Sequence, residues 1–131
     1  MTEALSVKQE LDGKQFILFG GTGFLGKVWL CLMLDRFPNI EHVYMVVRAR
    51  KNKDGSIRQS SESRFVSEVL TSPVFDPLRE TYPGTKFEAF VRSKITPING
   101  DVTHEFGGIS SEIRKKLRGK LHALVNSAGV V

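Results

Sequence analysis

The chain has one cysteine, Cys31, among 131 residues, so no internal disulfide can form and packing alone must hold the fold. Cys31 lies in the apolar run "VWLCLML" and reads as a small buried hydrophobe rather than a reactive thiol. Long hydrophobic stretches are also missing. That run, residues 28–34, is the longest, and it falls far short of the roughly 20 residues a membrane-spanning helix needs. The opening "MTEALSVKQELDGK" is polar and carries no apolar block, which argues against a secretory signal. A cytoplasmic protein without a transmembrane segment is expected. Internal repeats and low-complexity segments are absent, and no metal site is expected. What is present is ordinary for a globular domain: 40% hydrophobic and 25% charged residues, at a length that suits one domain with a real core. The net charge of +5 is uneven, because much of it comes from "RARKNK" at 48–53.

Apolar periodicity predicts a buried strand over Gln15–Phe19, ended by glycine, and then a helix over about 23–37, stopped by Pro38. A second strand is expected at 43–48, followed by a polar, charged loop at 49–60. "SESRFVSEVLTS" reads as a helix, "PVFDPLRETYPG" as a helical turn and loop, and "KFEAFVRSK" as another helix. "ITPING" reads as a third strand. "SSEIRKKLRGK" is a helix capped by serine with basic residues in its last turn. Residues 121–125 read as a fourth strand. Alternating strand and helix imply an α/β, Rossmann-like, doubly wound parallel sheet of about four strands in the order 3-2-1-4. Residues 1–12 form an N-terminal lead, and 13–131 the N-terminal part of a dinucleotide-binding domain.

"GGTGFLGKV", residues 20–28, overlays two phosphate motifs. The nucleoside-triphosphate loop needs Ser or Thr after its lysine to bind magnesium; here Val28 follows Lys27, and a valine cannot coordinate a metal. The dinucleotide reading accounts for more. Gly20 permits the sharp turn, Gly23 lets the backbone approach a pyrophosphate, and Gly26 lets the helix pack closely on the sheet. The helix N-terminus faces the anion, and Thr22 adds a hydroxyl.

The second strand ends "MVVRAR". An acid there would bond the ribose 2′-hydroxyl of NAD, whereas Arg48 suits the 2′-phosphate of NADP. NADPH is therefore the expected cofactor. Arg50, Lys51, Lys53, Arg58 and Arg64 add positive charge nearby, with plain solvation expected for Lys51 and Lys53. This explains the basic run locally, and no aromatic stacking platform accompanies it, so no nucleic-acid partner is expected. In "NGDV", Asp101 and the Val102 backbone would meet an adenine edge; the competing role for Asp101 is a turn cap. In "VNSAGVV", small residues such as Ser127 and Ala128 would let the cofactor lie against the backbone.

Together, "FGGTGFLGKVWL", "VVRARK", "GDV" and "VNSAG" resemble the extended short-chain dehydrogenase/reductase superfamily. The block "SRFVSEVLTSPVFDPLRE" and "INGDVT" resemble bacterial fatty acyl-CoA reductases and the related thioester-reductase domains of carboxylic acid reductases and peptide synthetases. The resemblance implies NADPH-dependent reduction of a fatty acyl-CoA or other acyl thioester to aldehyde or alcohol. It also implies that Gly20, Thr22, Gly23, Phe24, Leu25 and Gly26 form the cofactor loop, that Arg48 and Arg64 contact the 2′-phosphate, and that Asp101 and Val102 contact adenine. Phe19 departs from the threonine often found before the first glycine.

The resemblance further implies a catalytic Tyr-x-x-x-Lys pair on one helix. "YPGTK", Tyr82 to Lys86, has the spacing, but Pro83 and Gly84 oppose the required helix, and a turn is expected there instead. The fourth strand would keep an unpaired edge, open to self-association. The first long helix is apolar nearly all round, with Phe24, Leu25, Val28, Trp29, Leu30, Leu32 and Met33, and such a helix is normally covered on both sides. The expectation is a piece of a longer reductase, inactive alone. A non-catalytic NADP-binding module is the alternative outside enzymes.

Overall fold

The computed structural model describes residues 4–129; Met1, Thr2 and Glu3 of the lead, and Val130 and Val131 of "VNSAGVV", lie outside the described residues. The lead contains a short helix, α1 (Val7–Leu11), whose Leu11 packs on the core. Four parallel strands then form the sheet: β1 (Gln15–Phe19), β2 (His42–Val47), β5 (Ile95–Asn99) and β6 (Ala123–Asn126). Their order is β5-β2-β1-β6, the 3-2-1-4 arrangement expected from the sequence. The fourth strand starts two residues later than its apolar run, with the His122 backbone N–H donating to the Gln15 carbonyl just before it.

Strand β1 is buried on both faces, as a central parallel strand must be. Phe16 and Leu18 point into the larger core with α2 (Phe24–Arg36), where Leu30 and Leu34 meet Val43, Met45 and Ile95. Ile17 and Phe19 point into a smaller core with Ile98 and with Leu117 of α6 (Ser111–Leu117). Helices therefore lie on both faces, and the chain reverses direction across the sheet between β1 and β6. On α2, Gly26, Leu30, Cys31, Met33 and Leu34 are buried, while Phe24, Leu25 and Leu32 remain exposed. Only one side of this apolar helix is covered among the described residues.

The crossover from β2 to β5 departs from its sequence reading in two places. The charged loop contains a small antiparallel hairpin, β3 (Arg50–Lys51) with β4 (Ile57–Gln59). The expected single helix after it is α3 (Ser61–Arg64) running into a π-helical turn over Phe65–Leu70. Phe65 and Val69, four residues apart on one face of this segment, are both buried in the core. A 3-10 turn (Pro73–Phe75), α4 (Asp76–Thr81) and α5 (Thr85–Lys94) complete the crossover.

Arg79 ties this insertion together. Its Nη1 donates to the Ser72 carbonyl at 2.8 Å and its Nη2 to the Leu70 carbonyl, while the guanidinium lies 4.6 Å from the centre of the Phe87 ring. Arg79→Met keeps the apolar stem and removes the donors. It is expected to lower unfolding free energy by about 2 kcal/mol in urea titrations; an unchanged midpoint would mean that water satisfies these carbonyls equally well.

Candidate cofactor-binding site

Ligands of doubly wound sheets bind beyond the strand carboxyl ends where the strand order reverses. Here that point lies between β1 and β6, and the glycine loop occupies it. Gly20 has φ +85°, a conformation side chains rarely adopt. A Cβ there would also stand 2.6 Å from the Ser127 carbonyl carbon. Gly26 is forced as well: its Cβ would meet the Gly20 carbonyl oxygen and stand 2.7 Å from Gly21 Cα. The close partner of Gly26 is thus the turn itself, not the sheet as the sequence suggested. Gly21, which the sequence reading left without a role, packs so tightly that a Cβ would lie 2.8 Å from Met45 Cε.

Gly23 is different. A Cβ there would find only the Gly20 carbonyl, at an acceptable 3.4 Å. Packing within the chain does not explain its missing side chain, whereas an anion pressed against the backbone would. Gly23 is also the N-cap of α2, which has no side-chain cap and no acid in its first turn. By contrast, serines cap α1, α3 and α6. The free N–H groups of α2 and its dipole therefore face the cleft with no acid in the helix's own first turn.

All the site residues named from the sequence line one cleft of about 680 Å³: Gly20, Thr22, Gly23, Phe24, Leu25, Gly26, Arg48, Arg64, Asp101, Val102, Ser127 and Ala128. That volume suits a sizeable organic ligand. The side chains do not all stand free, however. The Ser127 hydroxyl donates to the Phe19 carbonyl at 3.1 Å, so it holds the two strand ends together. Arg64 is largely buried, its side chain only 12% exposed against 66% for Arg48. Its Nε pairs with Glu68 at 2.8 Å and its Nη1 donates to the Arg48 carbonyl at 2.6 Å. Arg64 thus fixes the backbone from which Arg48 reaches into the cleft. The Ser61 hydroxyl adds a bond to the Val47 carbonyl at 2.6 Å, and the Ala49 N–H donates to Asn99 Oδ1 at 3.3 Å.

Asp101 takes the turn-cap role and keeps a second oxygen turned toward the cleft. Its Oδ1 caps a turn, accepting from the Thr103 N–H at 2.9 Å and the Thr103 hydroxyl at 2.7 Å. Its Oδ2 lies 3.2 Å from His104 Nδ1 and 3.7 Å from Arg48 Nη1. The Thr103 hydroxyl and N–H hold this carboxyl below the usual carboxylate range, with smaller help from His104 and Arg48. It therefore stays ionised near neutral pH. Thr103 and His104 were not picked out from the sequence, although Asp-x-Thr is a turn signature that could have revealed the first. Of the other basic residues, Arg50 pairs with Glu68 at 2.7 Å, and Lys53 does not line the cleft.

Tyr82 and Lys86 do not share a helix. Tyr82 follows α4 and stacks on Phe90 with ring centres 4.0 Å apart, and Gly84, at φ +64°, precedes α5. Among the described residues no helix is long and apolar enough to cross a membrane.

The sheet order, the glycine turn and the open cleft define a Rossmann-type domain of the dinucleotide-binding kind. The family described as male sterility protein, a family of NAD-binding domains, matches residues 18–131, and the chain belongs to it. Its cofactor class is a nicotinamide dinucleotide. The chain is 30% identical over 128 residues to fatty acyl-CoA reductase 2, chloroplastic, of Arabidopsis thaliana, covering 98% of this chain and 20% of that protein. It is 32% identical over 127 residues to mouse (Mus musculus) fatty acyl-CoA reductase 1, covering 97% and 22%. The chain therefore spans about a fifth of the length of these oxidoreductases. Among solved structures, the reductase domain of a non-ribosomal peptide synthetase from Mycobacterium tuberculosis superposes with a TM-score of 0.63 at 20% identity, over 95% of this chain and 27% of that one. That likeness is one of fold.

Proposed function

We propose that this chain is the NADP-binding part of a reductase that converts fatty acyl thioesters, fatty acyl-CoA first among them, to aldehyde or alcohol. Such a reaction belongs to lipid metabolism. The observation that carries the cofactor half is the placement of Arg48: an exposed guanidinium at the end of β2, in the same cleft as the glycine turn. The acyl-CoA half rests on the fatty acyl-CoA reductase relatives. When bound, NADPH would supply a hydride to the thioester carbonyl.

This chain's own residues would bind and orient. Gly20 and Gly26 shape the turn, and Gly23 leaves room for the pyrophosphate beside the N–H groups of α2. Arg48 would face the 2′-phosphate, on a backbone that Arg64 steadies. The Asp101–Val102 turn would meet the adenine edge, and Phe24 and Leu25 give the cleft an apolar rim. No Tyr-x-x-x-Lys pair lies on one helix among the described residues, so proton transfer to the carbonyl oxygen is assigned to groups other than these. A thioester-reductase domain of a peptide synthetase is the second reading, supported by the fold of the Mycobacterium tuberculosis domain.

The test is a pair of titrations of the full native polypeptide carrying these residues. NADPH is expected to bind at least about tenfold more tightly than NADH. Equal affinities would remove the NADP assignment. Consumption of NADPH on adding a long-chain acyl-CoA would support the substrate class; consumption only with a carrier-protein thioester would favour the second reading.

A further inference from the structure

The loop 100–109 after β5 is closed by its own backbone. The Asp101 N–H donates to the Gly107 carbonyl at 2.7 Å, and the Gly107 N–H donates to the His104 carbonyl at 3.1 Å. Phe106, Gly107 and Gly108 all have positive φ. Internal packing accounts for the two glycines. A Cβ on Gly107 would stand 2.8 Å from the Phe19 ring, and one on Gly108 would stand 2.7 Å from the Asp101 backbone nitrogen. It does not account for Phe106. At φ +54° this residue holds a left-handed conformation that a bulky side chain seldom takes and that glycine would adopt at no steric cost. Nor does its ring serve the core, being 62% exposed.

What holds the ring is a cation. The Arg114 guanidinium of α6 lies 4.1 Å from the ring centre, and Arg114 Nε donates to the Ile109 carbonyl at 3.2 Å. The ring therefore stands beside a basic face. Residues 105–120 hold five basic side chains against two acidic ones. At about 100° per residue, Lys115 and, just past the helix end, Arg118 fall on the Arg114 flank of α6. Lys116 falls on the other flank with Glu112, its partner at 3.9 Å. Among the described residues Lys115, Arg118 and Lys120 are exposed and have no acidic partner within salt-bridge distance.

An exposed aromatic ring among unpaired cations suits an anionic bilayer: the ring enters the headgroup boundary while the cations meet lipid phosphates. A folded acidic partner fits less well. Protein interfaces centre on a cluster of apolar side chains, and residues 103–120 expose one large apolar side chain, Phe106. We infer that Phe106, Lys115, Arg118 and Lys120 form a docking face for an anionic phospholipid surface, with Arg114 holding the ring outward. Contact through one ring and three cations is weak and reversible, and salt screens it. It does not depend on which dinucleotide fills the cleft.

The experiment uses the full native polypeptide carrying Phe106→Trp, with the emission of the wild type, which retains Trp29, subtracted. Phe106 is exposed, so the thermal midpoint is expected to match the wild type. Vesicles of phosphatidylcholine with about one-third phosphatidylglycerol are expected to shift the added emission to the blue, and to quench it when the lipid is brominated; phosphatidylcholine alone is expected to do neither. Adding Lys115→Gln and Arg118→Gln is expected to raise the lipid concentration at half-saturation at least about tenfold, and the charge-preserving pair Lys115→Arg/Arg118→Lys to change it less than about threefold. No response to the anionic vesicles, an equal response to both kinds, or full binding by the glutamine pair overturns the inference. So does emission already blue-shifted and shielded from acrylamide without lipid, because the rest of the polypeptide would then cover the face. A shift with soluble polyglutamate but not with vesicles assigns the face to an acidic protein and overturns it as well.

Discussion

Arg48→Glu is expected to weaken NADPH binding by about a hundredfold or more while leaving NADH affinity within about threefold. The wild-type guanidinium is exposed at the end of β2, 3.7 Å from Asp101 Oδ2, and its backbone is fixed by Arg64. The substitution removes the cation and places a second carboxylate beside Asp101. A 2′-phosphate would then meet two negative groups, whereas the ribose 2′-hydroxyl of NADH could donate to the new acid. Because Arg48 is exposed, folding should be little changed, and equal thermal midpoints of variant and wild type would show it. Calorimetric titration with both cofactors reads the ratio. Parallel loss of both would mean that Arg48 acts on the shape of the cleft and not on the phosphate.

The second large effect separates two glycines three residues apart. By helix propensity alone, Gly26→Ala inside α2 should stabilise the helix by about 1 kcal/mol. Sterics reverse the sign. The new Cβ would run into the Gly20 carbonyl oxygen and stand 2.9 Å from the Gly20 carbonyl carbon, all backbone that cannot rotate away. The expected result is a net loss of about 2–3 kcal/mol in unfolding free energy, with cofactor binding abolished because the turn must move. Gly23→Ala meets only the Gly20 carbonyl at 3.4 Å, so its unfolding free energy should stay within about 0.5 kcal/mol of wild type. Its cofactor affinity should nonetheless drop at least about tenfold, since the methyl occupies space assigned to the pyrophosphate. Full affinity in Gly23→Ala would place the pyrophosphate elsewhere. Unchanged stability in Gly26→Ala would show that the turn relaxes more readily than its backbone contacts imply.

Much of this molecule was legible from local pattern. Alternating apolar runs and helix stop signals gave the four strands, and the right-handed crossover rule ordered them. The glycine spacing between a strand and a helix marked the turn, and "MVVR" marked the end of β2. The twelve residues singled out lie in one cleft because strand ends converge wherever a parallel sheet reverses its order. The sequence also identified "YPGTK" as a turn, since Pro83 and Gly84 break the helix that a tyrosine–lysine pair requires.

What the residues do within that cleft was not legible, because it depends on partners far away in the chain. Arg64 and Arg48 look alike as letters, yet Glu68 and a backbone carbonyl hold one in the wall while the other reaches outward. Asp101 offers one oxygen to its own turn and turns the other toward Arg48, a division fixed by Thr103 and by where β2 ends beside β5. The hairpin at 50–59 was hidden by its polarity: its strands are two and three residues long, are held by backbone bonds, and carry no apolar alternation. The sequence by itself determined the sheet, its order and the place of the cleft, because periodicity and glycine geometry act over a few residues. Only the tertiary structure decided which cations reach into the cleft, because an arginine's role is set by the acids and carbonyls that folding brings within hydrogen-bonding reach.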